Sequence, residues 1–275
     1  MNQIKMQHLK GVEYNVLDHG TIEIVDWMGG DDDIVKAARI STGSSTKSSQ
    51  EDERLIDYLM EHHHTSPFEM CEIKLKMTMP IFIARQWMRH RMASINEYSG
   101  RYSEMKDEFY IPQEFRLQSK LNHQGSDGKL DKEENDVVRL TTQVYSEDTF
   151  KLYQYMLDKG ISREMSRIVL PLSTYTSFFW KIDLHNLLKF LKLRMDPTAQ
   201  EEIRVYADKL WEIVKIWVPL TAKAFETHHL NSTTFSEEEM NVVKSLLKKV
   251  PDYEKLVKEC KLKKRWKDKL LDLLK

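Results

Sequence analysis

The sequence predicts one α+β domain followed by a helical C-terminal extension. Apolar and polar residues alternate in two early stretches, 12–25 and 71–79, and an aromatic, β-prone run follows much later at 174–182. Helical periodicity fills most of the rest of the chain. From residue 236 onward the composition shifts to lysines with leucine pairs at helical spacing. Strands placed early and late among many helices favour an α+β arrangement.

Composition excludes several function classes. The 275 residues include 42 basic and 43 acidic side chains, so no whole-protein field favours nucleic acid or an anionic membrane. The two cysteines, Cys71 and Cys260, lie far apart and lack metal-ligand spacing, which is typical of a reduced, cytoplasmic protein. We see no apolar leader and no run long enough to span a bilayer, and therefore expect no membrane partner.

The first half of the chain alternates strands and short helices. A hairpin is expected at 11–27, with its turn at His19-Gly20, and a polar loop at 41–50. Pro67 ends the second helix region, and Pro80 stands where the first turn of a helix tolerates proline. The predicted helices are 34–40, 51–63 and 81–91, and the predicted strand between the last two is 71–79.

The second half is mainly helical. A turn at 125–128 precedes a long amphipathic helix, 131–158, which stops at Lys159-Gly160. Further helices are expected from Ser162 to near Pro171, at 184–194, and at 197–229 with a bend at Pro219. The tail begins with a capping box at 236–239 and predicts two more helices.

Residues 85–103 contain four arginines and no lysine. Arginine binds planar anions such as phosphate through paired hydrogen bonds. On a helix, Arg85 and Arg89 would share one face and repel each other unless an anion lay between them. A solvated basic face paired with acids such as Glu97 is the alternative, and charge runs are more often of that kind.

The loop after this helix supplies complementary groups. Gly100 allows close approach of a backbone N–H to a ligand, and Ser99 and Arg101 can contact phosphate oxygens. Glu97 can accept hydrogen bonds from ribose hydroxyls or a base N–H. Phosphate and sugar groups together indicate a nucleotide ligand.

Other chemistry-bearing residues give weaker signals. The consecutive histidines 62–64 do not share a helical face and have no acidic or thiol partner at ligand spacing, so no metal site is expected. Cys71 lies in a strand without an evident base and is interpreted as a buried structural thiol. Arg167 and Arg194 are isolated cations, and Arg194 can simply satisfy the end of its helix. No phosphate-binding glycine loop or dinucleotide fingerprint is present.

The motif Arg89-His-Arg-Met-Ala-Ser-Ile-Asn-Glu-Tyr-Ser99 resembles the signature of the flavin-dependent thymidylate synthases, Arg-His-Arg followed after seven residues by Ser. The resemblance extends in collinear order over residues 12–230. The other matching stretches are Ala37–Ser41, His64–Glu69, Pro80–Trp87, Gly100–Tyr102, Glu108–Pro112, Arg167–Leu172, Phe178–Trp180, Leu193-Arg194 and Ala199-Gln200.

This resemblance implies a specific reaction. Members of the family transfer a methylene carbon from methylenetetrahydrofolate to C5 of dUMP, and FAD reduced by NADPH supplies the hydride that completes the methyl group. The expected fold is a central, mostly antiparallel sheet flanked by helices, in a homotetramer with active sites shared between subunits. A catalytic domain at 1–234 and a lysine-rich helical extension at 235–275 are expected.

The resemblance also assigns roles to residues. Arg194 is expected to be catalytic, by facing the pyrimidine and stabilising negative charge on it. The expected dUMP-binding residues are Gln86, Arg89, Glu97, Ser99, Gly100, Arg101, Arg167 and Arg194. The expected FAD-binding residues are Ser41, His64, Ser66, Glu69, Arg89, His90, Arg91, Glu97, Asp183, His185 and Lys189.

Four positions bear on the flavin contacts. Asp183 and His185 lie where family members vary, whereas Lys189 and Thr198 replace residues that usually contact or flank the flavin. A homologue that binds flavin or nucleotide without turnover is therefore one rival hypothesis. A nucleic-acid-binding module is another, but the balanced charge and the lack of a recognised binding motif count against it.

Overall fold

The computed structural model describes residues 2–40, 48–120 and 125–273, and the chain divides into two compact units, 1–230 and 231–275. The helices of the first unit are α1 Asn2–Leu9, α2 Asp31–Ile40, α3 Ser49–Glu61, α4 Ser66–Glu69, α5 Ile81–Trp87, α6 Lys132–Asp158, α7 Arg163–Ser166, α8 Leu184–Arg194, α9 Glu201–Trp217 and α10 Pro219–Phe225. Those of the second are α11 Glu237–Leu247, α12 Tyr253–Glu259 and α13 Lys264–Asp272. The strands are β1 Glu13–Val16, β2 Gly20–Met28, β3 Glu72–Pro80, β4 Ser94–Glu97, β5 Arg116–Gln118, β6 Ser126–Lys129 and β7 Tyr175–Asp183.

The central sheet has five antiparallel strands in the order β1-β2-β3-β7-β4. Strands β3 and β7, which are about 100 residues apart in sequence, pair along their whole length, with Leu75 opposite Trp180 and Met77 opposite Phe178. The short strand β4 extends the sheet beyond β7. Strands β5 and β6 form a separate hairpin. The α+β class and the antiparallel sheet flanked by helices are thus confirmed.

One hydrophobic core lies between the sheet and its covering helices. Along β3, alternate residues Ile73, Leu75, Met77 and Met79 are buried, as a strand half-exposed to solvent requires. Four leucines of α8 (Leu184, Leu187, Leu188 and Leu191) and the apolar stripe of α9 belong to the same core cluster. Each fully buried large apolar side chain contributes roughly 1.5–3 kcal/mol relative to its exposed form.

Two contacts fix how distant segments meet. The Tyr206 hydroxyl donates to the Thr78 carbonyl at 2.7 Å and lies where a Cβ on Gly20 would stand, 1.8 Å away. Glycine at position 20 therefore allows α9 to approach β2. Separately, the buried Asp31 carboxylate accepts hydrogen bonds from the backbone N–H groups of Leu220 and Thr221, at 2.9 and 3.0 Å, and so caps α10 from another helix.

The structure corrects several boundaries. The helix predicted to reach Arg91 ends at Trp87, because residues 94–97, which were expected to be loop, pair as β4 with the free edge of β7. The predicted long helix 197–229 starts only at Glu201, and Val218, at φ −133°, separates α9 from α10. The tail contains three helices instead of two, since Pro251 and the left-handed Asp252 interrupt it.

Helix α1 and the β5–β6 hairpin were not predicted. Helix α1 lacks a strong apolar stripe, although its Met6 side chain is fully buried in the core. Across the described ranges, no helix has the length and apolar character needed to cross a membrane.

Candidate active site

Arg194, the last residue of α8, lies against the segment that leaves α5. Its Nε donates to His90 Nε2 and its Nη2 donates to the Gln86 carbonyl, both at 3.1 Å. We call Arg194, His90 and Gln86 the Arg194 cluster. Two of the five guanidinium N–H groups are used in these contacts, so others remain for a ligand. The structure thus joins three predicted site residues that are up to 108 positions apart.

The contact with Arg194 determines the state of His90. A guanidinium can only donate, so His90 Nε2 is an unprotonated acceptor and the ring proton sits on Nδ1. Burial, reinforced by the charge of Arg194, lowers the pKa of His90 to about 4. Burial also lowers the pKa of Arg194 itself, although a guanidinium stays charged at neutral pH. The cluster is therefore one fixed cation beside a neutral imidazole.

The end of β4 and the turn after it form a second group. Glu97 accepts a hydrogen bond from the Thr176 hydroxyl of β7 at 2.8 Å. Ser99 Oγ accepts from the backbone N–H of Arg101 at 3.3 Å, which leaves its hydroxyl proton available to a ligand. Gly100 is buried, and a Cβ there would stand 3.4 Å from Arg167 Cδ. We call residues 97–101 with Arg167 the Gly100 turn.

Several cations around these groups have no carboxylate partner among the residues that the structure describes. Arg89, Arg91 and Arg167 are exposed, and none of them pairs with a carboxylate of the described residues. Arg101 forms only a solvent-exposed pair with Glu164 at 3.2 Å. Such a pair contributes about 0–1 kcal/mol and is easily exchanged for another anion. The surroundings of the signature motif thus favour anionic ligands.

A third group surrounds a small pocket of about 120 Å³ that is lined by His64, His185 and Lys189 together with other polar side chains (His63, Thr65, Lys192 and His229) and apolar ones. Burial, together with the nearby charge of Lys189, lowers the pKa of His185, while Glu69 acts in the opposite direction. These four predicted residues are therefore linked through His185, which shares the pocket with His64 and Lys189 and feels the charges of Lys189 and Glu69. We call them the His64 pocket.

The remaining predicted residues are placed as follows. Ser66 is exposed at the start of α4, beside Pro67. Asp183 caps α8 through a hydrogen bond from the Asn186 backbone N–H at 2.9 Å, so its carboxylate already has a structural role. Thr198 donates to the Asp196 side chain. Ser41 lies outside the described residues.

Within the described part of the chain, no hydrogen bond or ion pair links the Arg194 cluster, the Gly100 turn and the His64 pocket. No group of three or more possible metal-ligating side chains occurs there either. Cys71 is fully buried and its pKa is raised to about 12, mainly by burial, which makes it unsuitable as a nucleophile.

Sequence reasoning missed a polar network next to the Arg194 cluster. The Gln86 amide donates to Gln200, Gln200 donates to the buried Glu202, and Glu202 accepts from Arg116. Arg116, Gln200 and Glu202 border a cleft of about 680 Å³, which Thr198 also lines. The sequence contained one indication of this network, because Glu202 is an acidic residue next to Ile203 on the apolar stripe of α9.

Comparison with known proteins places this geometry in a family. A family model described as thymidylate synthase complementing protein matches residues 23–220. The chain is 52% identical over 237 residues to a flavin-dependent thymidylate synthase of Ehrlichia ruminantium, covering 86% of this chain and 80% of the relative. It is 53% identical over 232 residues to the Thermus thermophilus protein of the same name, covering 84% and 85%.

A solved structure is similar as well. The crystal structure of the UMP/dUMP methylase PolB from Streptomyces cacaoi, with 5-Br dUMP bound, superposes with a TM-score of 0.71 at 34% sequence identity. The match covers 79% of this chain and 99% of PolB. The family model ends at residue 220, so the whole of the 231–275 unit lies outside it.

Proposed function

Because this chain belongs to the flavin-dependent thymidylate synthase family, we propose that it methylates dUMP at C5 to form dTMP, with a flavin as redox cofactor. One observation carries the proposal beyond family membership. Arg194, His90 and Gln86, which come from separate matching stretches, are hydrogen-bonded into one cluster with unused donors. A solvated basic face, the alternative for the arginine-rich stretch, would not fix these side chains against one another.

The residues present fit FAD. Arg89 and Arg91 are exposed guanidiniums without a carboxylate partner in the described ranges, as a diphosphate site requires. The His64 pocket combines apolar walls with histidines and Lys189, a donor set suited to the edge of a heterocyclic ring. We assign FAD to Arg89, His90 and Arg91, with Glu97 between the two ligands. The other residues proposed on the FAD side are Ser41, His64, Ser66, Glu69, Asp183, His185 and Lys189.

The Gly100 turn is assigned to the nucleotide. Arg101, Arg167 and Ser99 would hold the dUMP phosphate, because two cations and an available hydroxyl proton surround the buried backbone of Gly100. Arg89 and Gln86 are assigned to the same ligand. Glu97 is held by Thr176 and accepts hydrogen bonds from sugar or base donors.

Arg194 is proposed as the catalytic residue. A guanidinium held in place by His90 and by the Gln86 carbonyl is preorganised to stabilise negative charge that develops on the uracil ring. This polarisation makes C5 nucleophilic toward the incoming one-carbon unit. The neutral His90 orients Arg194 without competing for the anion. A bound reduced FAD supplies the hydride that completes the methyl group.

We further propose methylenetetrahydrofolate as carbon donor, NADPH as reductant, a cytoplasmic location and a homotetramer with shared active sites. Two features support sharing. Among the described residues, no hydrogen bond or ion pair joins the three site groups, and α6 exposes a stripe of large apolar side chains that includes Val137, Leu140 and Val144. Exposed apolar patches of this kind normally mark a protein–protein interface. The 1–234 segment would form the catalytic domain, with 235–275 as an appended helical unit.

The test is a cofactor and turnover experiment on the full chain. The purified protein should show a flavin absorption band and release tritium from 5-tritiated dUMP when NADPH and methylenetetrahydrofolate are both supplied. Omission of either co-substrate is the control. A protein that takes up no FAD would contradict the proposal, whereas flavin and dUMP binding without tritium release would identify a non-catalytic homologue.

A further inference from the structure

Strand β4 brings Glu97 to one particular face of the central sheet. Glu97 lies directly opposite Phe178 of β7, and residues opposite each other in an antiparallel ladder project from the same face. Phe178 is 2% exposed and belongs to the hydrophobic core. The Glu97 side chain therefore leaves the sheet on the face that the helices cover, although Glu97 itself is exposed at the sheet edge.

The Arg194 cluster lies on the same face. Trp180, two residues along β7 from Phe178, projects to this face as well, and its ring centroid lies 5.1 Å from that of Trp87 in α5 and 5.2 Å from that of Phe190 in α8. Helices α5 and α8 thus pack on this face, and the Arg194 cluster is built at their C-terminal ends.

Thr176 supplies the contact that holds Glu97 on this face. It also lies two residues from Phe178, so it is a diagonal neighbour of Glu97 across the ladder. Thr176 is 4% exposed, and its hydroxyl donates its one proton to Glu97 Oε1 at 2.8 Å. No described residue donates to Glu97 Oε2, so the carboxylate keeps capacity to accept from a ligand.

The Thr176 hydroxyl stands where core packing favours an apolar group. Valine has nearly the shape of threonine and buries no polar atom, so packing alone would favour valine at this position. The backbone is already fixed, because the Tyr98 N–H donates to the Ser177 carbonyl at 2.8 Å. Thr176 therefore adds a fixed orientation of the long, flexible Glu97 side chain, whose rotamer freedom is then lost before a ligand binds.

We propose that Thr176 is a positioning residue of the nucleotide site, whose buried hydroxyl fixes the Glu97 carboxylate in advance as an acceptor for the sugar or base donors of dUMP. This inference rests on the proposed function. The donors of dUMP are the uracil N3–H and the deoxyribose 3′-hydroxyl, and an oriented carboxylate accepts from either without a further ordering cost. Thr176 acts on the nucleotide through Glu97 and not by direct contact.

The experiment measures dUMP binding to the FAD-loaded full-length enzyme by calorimetry, and KM and kcat by tritium release. Thr176→Val removes the donor with little change in shape. The dissociation constant and the KM for dUMP should each rise about fivefold, with kcat changed by less than about twofold, because the acceptor is no longer oriented. Thr176→Ser keeps the hydroxyl and should restore both constants to within about twofold of wild type.

Ser177→Ala is the matched control. Ser177 is the next residue of the same strand, projects to the opposite face, and shares a hydroxyl hydrogen bond of 2.9 Å with Thr78. Its loss should change the dissociation constant for dUMP by less than about twofold. If Thr176→Val fails to fold, Thr176→Ala removes the same donor with a smaller side chain, and the same fivefold weakening of dUMP binding is expected, to about that size.

A double-variant cycle separates positioning from general structural support. Glu97→Ala removes the carboxylate that Thr176 orients. In that background, adding Thr176→Val should change the dissociation constant for dUMP by less than about twofold. A structural defect would instead weaken binding about fivefold in both backgrounds.

The outcomes are distinguishable. Wild-type enzyme that binds no dUMP overturns the proposed function together with this inference. Wild-type enzyme that binds dUMP, with Thr176→Val binding it equally well, overturns the inference alone. So does a loss that Thr176→Ser does not restore, or one that persists at full size in the Glu97→Ala background.

Discussion

Replacement of Arg194 by methionine tests the central assignment. The substitution keeps an unbranched side chain of similar length but removes the donors to His90 and to the Gln86 carbonyl, both at 3.1 Å. It also removes the only cation of the Arg194 cluster. Flavin contacts assigned to Arg89 and Arg91 are left intact.

The structure sets the size of the expected effect. Loss of one preorganised donor to a developing anion costs about 10²–10³ in kcat, roughly 3–4 kcal/mol. We expect kcat to fall by this factor in Arg194→Met, with flavin retention changed by less than about threefold. The pKa of His90 should rise from about 4 because the repelling charge is gone, but stay below 6.5, because burial, its larger cause, remains.

Tritium release from 5-tritiated dUMP measures turnover, flavin absorbance after gel filtration measures retention, and NMR titration reports the His90 pKa. The matched control is Arg54→Met, which removes the same charge from an exposed position of α3. Equal losses of turnover and flavin would refute the assignment of Arg194 to the pyrimidine. An unchanged His90 pKa would refute the Arg194–His90 contact.

Three further predictions concern stability. Gly20→Ala should lower the free energy of chemical unfolding by at least about 3 kcal/mol. The new Cβ would lie 1.8 Å from the Tyr206 hydroxyl and 2.5 Å from the Val16 carbonyl oxygen. A loss of less than about 1 kcal/mol would contradict this close approach. Asp31→Ala should cost about 1–3 kcal/mol by the same assay, since three hydrogen bonds at the start of α10 are lost, and an unchanged midpoint would contradict the cap. The pKa of His90 is depressed to about 4 in the folded state. The contribution of the neutral His90 to folding stability is therefore fully present above its unfolded pKa of 6.5 and is lost as the pH falls toward 4. Between pH 6.5 and 4, the free energy of unfolding of the wild type should fall by about 2 kcal/mol more than that of His90→Gln, a figure reduced for partial solvent screening. Parallel plots of unfolding free energy against pH for the two proteins would refute this prediction.

The fold was predictable where local pattern and tertiary environment agree. Alternation in 71–79 and the aromatic run 174–182 predicted β3 and β7, which form the longest pairing in the sheet. Strand β4 was missed because all four of its residues are exposed, so no alternation marks it. Its pairing partner lies about 80 residues away, and only the free edge of β7 makes residues 94–97 extended.

The candidate site residues come from separate stretches of the sequence, which proposed them one by one. Gln86, His90 and Arg194 were each identified, but their mutual contacts were not, because periodicity says nothing about pairs about 100 residues apart. The link between Arg116 and Glu202 was missed for the same reason, at a separation of 86 residues. Such contacts depend on how α9 packs, and not on local sequence.

The segment 85–103 is held in place by one pair of consecutive elements. Strand β7 anchors Glu97 near its start through Thr176, and helix α8, which follows β7 directly, anchors His90 at its end through Arg194. The half of the motif that we assign to the nucleotide and the half that we assign to the flavin are thus positioned by opposite ends of the same β7–α8 unit. A change in the packing of α8 should move His90 and Arg194 together while Glu97 stays with the sheet. The relative placement of the two proposed ligands therefore depends on the β7–α8 junction at Asp183, whose carboxylate caps the helix, as much as on the arginines themselves.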